Sequence, residues 1–93
     1  MATKISPRIL AKIAERGITP AHIEECFTNR TGGTLLDTRE QHKTNPPTQW
    51  FIALTDKGRR LKIVFMQDGG DVELKSAFDP NITEMYIYAK HGS

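Results

Sequence analysis

The feature that most constrains the fold is a change in the spacing of apolar residues near Thr34. Before this point, apolar residues recur at helical spacing. Ser6 and Thr19 are each followed by proline, the usual N-cap and first residue of a helix. After this point, apolar and polar residues alternate, which is typical of β-strands. The first third therefore predicts a helical hairpin over residues 7–16 and 20–29.

The rest of the chain predicts short strands joined by tight, glycine- or proline-containing turns. Consecutive strands connected in this way form an antiparallel sheet. The fold class that follows is α+β: an N-terminal helical hairpin packed on one face of a mainly antiparallel sheet of four or five strands, in a single domain over residues 1–93. The predicted strands cover residues 34–38, 48–55, 59–67 and 72–78, and residues 84–90 form a fifth strand or a short terminal helix.

Alternation sorts the side chains of these strands onto two faces. On the third strand, Leu61, Ile63 and Phe65 point toward the helices, while Arg60 and Lys62 point to the open face. The same rule buries Val72, Leu74, Ser76, Phe78, Met85 and Ile87, and it leaves Glu73, Lys75, Ala77, Tyr86, Tyr88 and Lys90 on the open face.

The open face therefore combines Arg60, Lys62, Lys75 and Lys90 with two tyrosines. Cations interleaved with aromatic rings suit a phosphate backbone and unstacked bases. An ordinary solvated face accounts for the same pattern, because antiparallel sheets commonly expose one side and lysines there prevent edge pairing.

Composition excludes several classes of protein. No apolar run approaches the ~20 residues of a membrane span, and the N-terminus lacks the apolar region of a secretory signal. The single cysteine, Cys26, excludes an internal disulfide, so a cytoplasmic location is expected. The three histidines show no ligand spacing, and we expect neither a metal nor another cofactor. A net charge of +2 does not by itself indicate nucleic-acid binding.

The segment "TREQHKTNPPTQWF", residues 38–51, has the least ordinary composition. It places Arg39, His42 and Lys43 close together before two prolines. Trp50 and its neighbour fall on opposite faces of the next strand, so we expect one to anchor the core and the other to line a groove. A solvated loop is the alternative interpretation.

These residue types suit RNA cleavage by attack of the 2′-hydroxyl group. This reaction needs a general acid, a general base and cations that stabilise the charge on the phosphorane oxygens, but it needs no metal. His42 or a lysine is the candidate acid or base, and Arg39 or Arg59 is the candidate phosphate clamp. The candidate catalytic residues are His42, Arg39, Arg59, Lys62 and Tyr88, and the candidate RNA-binding residues are Arg60, Lys75, Lys43, Trp50 and Tyr86.

Three stretches resemble a known family. They are "AKIAERGITPAHIEECFTNR", "DKGRRLKIVFMQDGGDVELKSAF" and "ITEMYIYAK", and they are similar in order to segments of BrnT-type toxins, which belong with the RelE-like ribonucleases of bacterial toxin–antitoxin pairs. The resemblance implies RNA cleavage and a cognate antitoxin. It matches Arg59 to an arginine after glycine, Lys62 and Lys75 to basic strand positions, and Tyr88 to a C-terminal aromatic residue. Phe78 stands where these toxins often have an arginine.

A narrower group with a "DTRE-H-T-PPT-WFIA" core is also similar, and its members are sometimes labelled ADP-ribosyl-(dinitrogen reductase) hydrolases. Such hydrolases are larger helical enzymes with acidic residues around magnesium, and this chain lacks that cluster. Three hypotheses remain open: a metal-independent endoribonuclease toxin, a non-catalytic module that binds RNA or protein, and a small hydrolase of an ADP-ribose-like ligand. A homodimer is compatible with each.

Overall fold

A computed structural model describes residues 3–36 and 47–92. The fold is α+β, with a five-stranded mixed sheet in the order β1-β5-β4-β3-β2. Among the described strands, β1 and β5 run parallel, and the other neighbouring pairs are antiparallel. The elements are β1 (Thr3–Lys4), α1 (Pro7–Glu15), α2 (Pro20–Asn29), β2 (Leu35–Leu36), β3 (Thr48–Leu54), β4 (Arg60–Asp68), β5 (Asp71–Phe78) and α3 (Ile82–His91).

Both predicted N-terminal helices form and begin at the expected residues. The Ser6 hydroxyl accepts a hydrogen bond from the Ile9 N–H at 3.3 Å. Thr19 and His22 form a reciprocal cap, in which the Thr19 hydroxyl accepts from the His22 N–H and the His22 ring accepts from the Thr19 N–H. Gly17 separates the helices with a φ of +71°, a conformation that glycine adopts without strain.

The core lies between these two helices and one face of the sheet, as predicted. Phe51 is fully buried there and makes edge-to-face contacts with Phe27 and Phe65, with ring centroids 5.0 and 5.9 Å away. Such aromatic contacts add to the stabilisation from burial. The other buried members of the core are Ile9, Ile13, Ile18, Ile23, Cys26, Ala53, Leu61, Ile63, Val72, Leu74 and Ala77.

The predicted alternation along β5 is wrong in its second half. Val64 pairs with Ser76 and Phe65 pairs with Leu74, so Lys75 is an extra residue in a β-bulge. One inserted residue reverses the faces that follow. Ala77 is therefore fully buried in the core, whereas Ser76 and Phe78 lie on the opposite face.

The opposite face of the sheet is also less open than alternation predicts. Residues 84–90 belong to helix α3, the second of the two predicted possibilities, because Asn81 and Glu84 form a reciprocal N-terminal cap. This helix packs on the sheet face opposite α1 and α2. The prediction that Met85 and Ile87 are buried is wrong, since Met85 is half-buried and Ile87 is 39% exposed. The predicted first strand forms only at β2, and its last two residues lie outside the described residues.

Candidate functional site

Lys62 joins the sheet to α3. Its ammonium lies 2.6 Å from the Glu84 carboxylate, 4.5 Å from the centroid of the Trp50 ring and 5.4 Å from that of Phe78. Only 10% of the Lys62 side chain and 19% of the Glu84 side chain are exposed. A cation held by a carboxylate and two ring faces is well suited to positioning the helix. It presents little surface to a ligand.

Trp50 and Tyr88 continue this contact toward the C-terminus of α3. Trp50 is buried, and its ring centroid lies 5.9 Å from that of Tyr88. The Tyr88 hydroxyl donates a 2.7 Å hydrogen bond to the Gly33 carbonyl. Burial raises the pKa of the Tyr88 phenol above its usual value, although the positive charge of Arg30 opposes this shift. The Tyr88 phenol is therefore neutral near pH 7.

Arg59 lies on the other face of the sheet from Lys62. Its guanidinium donates two 3.0 Å hydrogen bonds to the Asp79 carboxylate and 2.9 Å bonds to the carbonyls of Arg16 and Gly17. The Arg59 hydrogen bonds lower the pKa of the Asp79 carboxyl below its usual value. This arrangement clamps the α1–α2 turn to the start of α3. The structure does not bring Arg59 together with Lys62 and Tyr88.

A second group of side chains is exposed on and beside α3. Tyr86 is 65% exposed, and the Lys90 ammonium lies 5.9 Å from the centroid of its ring. Arg60 is exposed and its guanidinium lies 3.3 Å from the sulfur of Met85, the residue before Tyr86. We call Arg60, Tyr86 and Lys90 the α3 surface. All three residues belong to the predicted basic and aromatic face, and all three are exposed in the structure.

Four predicted site residues remain, and the structure describes one of them, Lys75. The Lys75 ammonium pairs with Glu73 at 2.7 Å, at the β5 bulge. Arg39, His42 and Lys43 lie outside the described residues.

Beside the α3 surface lies a groove of about 730 Å³, within the size range of small-ligand sites. It opens between the end of α2, the outer edge of β3 and α3, and we call it the edge groove. Its walls are the residues Asn29, Thr31, Ile52, Ala53, Leu54, Thr55, Asp56, Arg60, Met85, Tyr88 and Ala89.

Two residues that shape this region, Glu84 and Gly33, were not identified from the sequence. Glu84 began a segment predicted as either a fifth strand or a short terminal helix, and Asn81 followed by Glu84 three positions later is the signal of a capped helix. The signal for a terminal helix was therefore present. No comparable signal marks Gly33, because its partners are distant in sequence.

Two further observations apply to residues 3–36 and 47–92. No cluster of three or more histidine, cysteine, aspartate or glutamate side chains there could hold a metal ion. No described helix combines the length and apolar composition that a bilayer crossing requires.

Comparison of the chain with protein-family models, curated protein sequences and solved structures finds no match. The interpretation of the α3 surface and the edge groove therefore depends on their own geometry.

Proposed function

We propose that this protein binds single-stranded RNA through the α3 surface. The observation that carries the proposal is the pairing of one well-exposed aromatic ring, Tyr86, with the Lys90 cation, next to Met85, which Arg60 contacts. An exposed ring offers a stacking platform for an unpaired base, and neighbouring cations neutralise phosphates. Exposure matters here, because a side chain held in a tight internal contact cannot reach a ligand.

Binding rather than catalysis is the function that the geometry of the described residues supports best. Lys62 contacts Glu84 and Trp50, and Arg59 contacts Asp79 on the opposite face. These contacts keep Lys62 and Arg59 apart, so the two cations do not converge on one phosphate position. The α3 surface, by contrast, faces solvent.

Replacing Tyr86 with alanine is expected to weaken binding to a short unstructured RNA about tenfold, the usual size of one stacking contact. Replacing Arg60 with glutamine is expected to reduce the slope of log affinity against log salt by about 0.7, because one phosphate contact is lost. Fluorescence anisotropy with a labelled RNA measures both.

Two matched variants serve as controls. Ile82→Ala removes an exposed side chain one turn before Tyr86, and Lys12→Gln removes an exposed charge from α1 on the far side of the sheet. Neither should change RNA affinity or its salt dependence. Equal losses in the control variants, or no RNA binding by the wild type at moderate salt, would contradict the proposal.

The second candidate function is RNA cleavage as a toxin whose cognate antitoxin neutralises it. The observation that favours it is the sequence itself, in which Arg39, His42 and Lys43 fall within five positions. An imidazole beside two cations can transfer a proton while the cations stabilise the phosphorane charge. The resemblance to RelE-like toxins supports RNA cleavage as an activity, but the residues that it matches are Arg59, Lys62, Lys75 and Tyr88. This candidate assigns cleavage to residues other than those of the α3 surface.

Expression of the wild-type chain from an inducible promoter is expected to arrest growth and degrade RNA if cleavage occurs. His42→Ala should relieve both effects without weakening RNA binding at the α3 surface. His22→Ala is the matched control, because His22 acts in the cap of α2. Growth and intact RNA after induction of the wild type would exclude the toxin and leave the binding function standing.

A further inference from the structure

One wall of the edge groove is the backbone edge of a strand. Ile52, Ala53, Leu54 and Thr55 all line it in succession. Side chains of successive strand residues point to opposite faces. Three consecutive residues of β3 can therefore line one groove only where it runs along the strand edge, where peptide groups are presented.

The ladder between β3 and β4 determines which peptide groups face the groove. Thr55 donates its N–H to the Arg59 carbonyl at 2.8 Å, so it belongs to a hydrogen-bonded pair. Such pairs recur at every second residue of an antiparallel ladder. The peptide groups of Phe51 and Ala53 therefore point toward β4. Those of Ile52 and Leu54 point the other way, toward the groove.

The segment that precedes β2 turns away from β3 at this point. Extension of the Leu35–Trp50 pairing would place Gly33 opposite Ile52. Gly33 instead donates its N–H to the Gly92 carbonyl at 2.6 Å, and its carbonyl accepts from the Tyr88 hydroxyl. Gly33 is thus held against the end of α3, and the N–H and C=O of Ile52 face the groove.

We propose that the edge groove binds one unpaired nucleobase of the RNA. This inference rests on the proposed RNA-binding function and assigns a second contact to the same ligand. The Ile52 N–H and C=O are an adjacent donor and acceptor, and each RNA base carries an adjacent acceptor and donor on its Watson–Crick edge. Met85 and the Tyr88 ring supply apolar walls, and Arg60 lies at the groove where it can contact the attached phosphate.

A nucleobase fits this edge better than a peptide strand does. Strand addition depends on a row of edge groups that can pair with the incoming backbone. Here the row is short, because Leu35 already pairs with Trp50 and the Asn29 side chain donates to the Leu54 carbonyl at 3.0 Å. Within the described part of β3, Ile52 presents its backbone N–H and C=O to the groove without a backbone partner in β2. A base requires no more than that.

The first test follows the backbone amide of Ile52 by NMR while ribonucleoside monophosphates are added to the isotopically labelled protein. Saturable shifts of the Ile52 amide and the Met85 methyl group are expected with the nucleotides and not with ribose 5-phosphate, which lacks the base. Equal shifts with ribose 5-phosphate, or no shift with any nucleotide, would overturn the proposal.

The second test fills the groove. Ala89→Phe places a ring inside it and is expected to weaken affinity for a short RNA about tenfold, the loss expected for one base contact. Ala11→Phe adds the same ring to an exposed position of α1 and should leave affinity unchanged. An RNA with an abasic residue, tested on Tyr86→Ala so that stacking on Tyr86 is already absent, is expected to bind more weakly than the intact RNA, and this readout stands if Ala89→Phe fails to fold.

The two proposals fail in different ways. If Tyr86→Ala weakens RNA binding but Ala89→Phe and abasic substitution do not, the base site is wrong and RNA binding stands. If the wild type binds no RNA while nucleotides still shift the Ile52 amide, RNA binding is wrong and the groove remains a nucleotide site.

Discussion

Replacing Lys62 with alanine is expected to lower the free energy of unfolding by about 3–5 kcal/mol, the usual cost of removing one partner from a buried ion pair. The Glu84 carboxylate, with only 19% of its side chain exposed, would then face a site from which its ammonium partner is gone. Contacts of the Lys62 ammonium with the Trp50 and Phe78 rings are lost as well. Urea unfolding monitored by fluorescence of the single tryptophan, Trp50, measures the change beside the mutated site.

A double variant separates charge from packing. Lys62→Met together with Glu84→Gln removes both charges while keeping side chains of similar length. Replacement of a buried pair by neutral groups is commonly near neutral, so this variant should recover most of the stability lost by Lys62→Ala. The assignment of Lys62 as the residue that holds α3 is wrong if Lys62→Ala unfolds at the same urea concentration as the wild type.

Arg59→Ala is expected to lower the free energy of unfolding by about 2 kcal/mol, chiefly through the hydrogen bonds to the carbonyls of Arg16 and Gly17. The Asp79 side chain is 64% exposed, so solvent screens its ion pair and this pair contributes less than the hydrogen bonds. Arg59→Lys should recover only part of the loss, because an ammonium cannot reproduce the planar set of donors. Thermal and urea unfolding at neutral pH measure both variants.

The stabilisation that Arg59 contributes to the folded protein should also depend on pH. Because Asp79 has a lowered pKa in the folded protein, its stabilisation is present above the ordinary carboxyl pKa of 3.8 and is lost as pH falls through the folded-state pKa below that value. The stability difference between wild type and Arg59→Ala should therefore narrow below about pH 4. Asp79→Asn is the control, and its stability should lose this part of the pH dependence. An Arg59→Ala difference that stays constant in acid would show that Asp79 does not contribute.

The helical hairpin and the antiparallel part of the sheet could be predicted because their signals are local. The Ser6 and Thr19 caps and the turns between strands each lie within a few residues of the structure that they specify. The bulge at Lys75 could not be predicted in this way. An extra residue is visible only in the pairing of β5 with β4, and alternation assumes that no residue is inserted.

The candidate site could be predicted only in part, because some of its contacts join residues that are distant in sequence. Strand alternation correctly placed Arg60 and Lys62 opposite the core, but it could not show that a helix would cover Lys62 and Trp50. Alternation does separate Arg59 from Lys62, because positions three apart on a strand face opposite sides. Arg59 contacts Asp79 and Lys62 contacts Glu84, and both partners lie 20 or more residues away in sequence. These contacts therefore depend on the tertiary structure and have no local sequence signal.

The position of β1 determines when this protein can complete its sheet during synthesis. The first strand is parallel to β5, where Lys4 pairs with Glu73, and the Lys4 ammonium also contacts Asp68, which is 64 residues later in the chain. At translation rates of about 5–20 residues per second, several seconds pass between the synthesis of β1 and the synthesis of its partner strand β5. The helical hairpin can form early from local contacts, whereas closure of the β1 edge is a later event that requires the synthesis of β5.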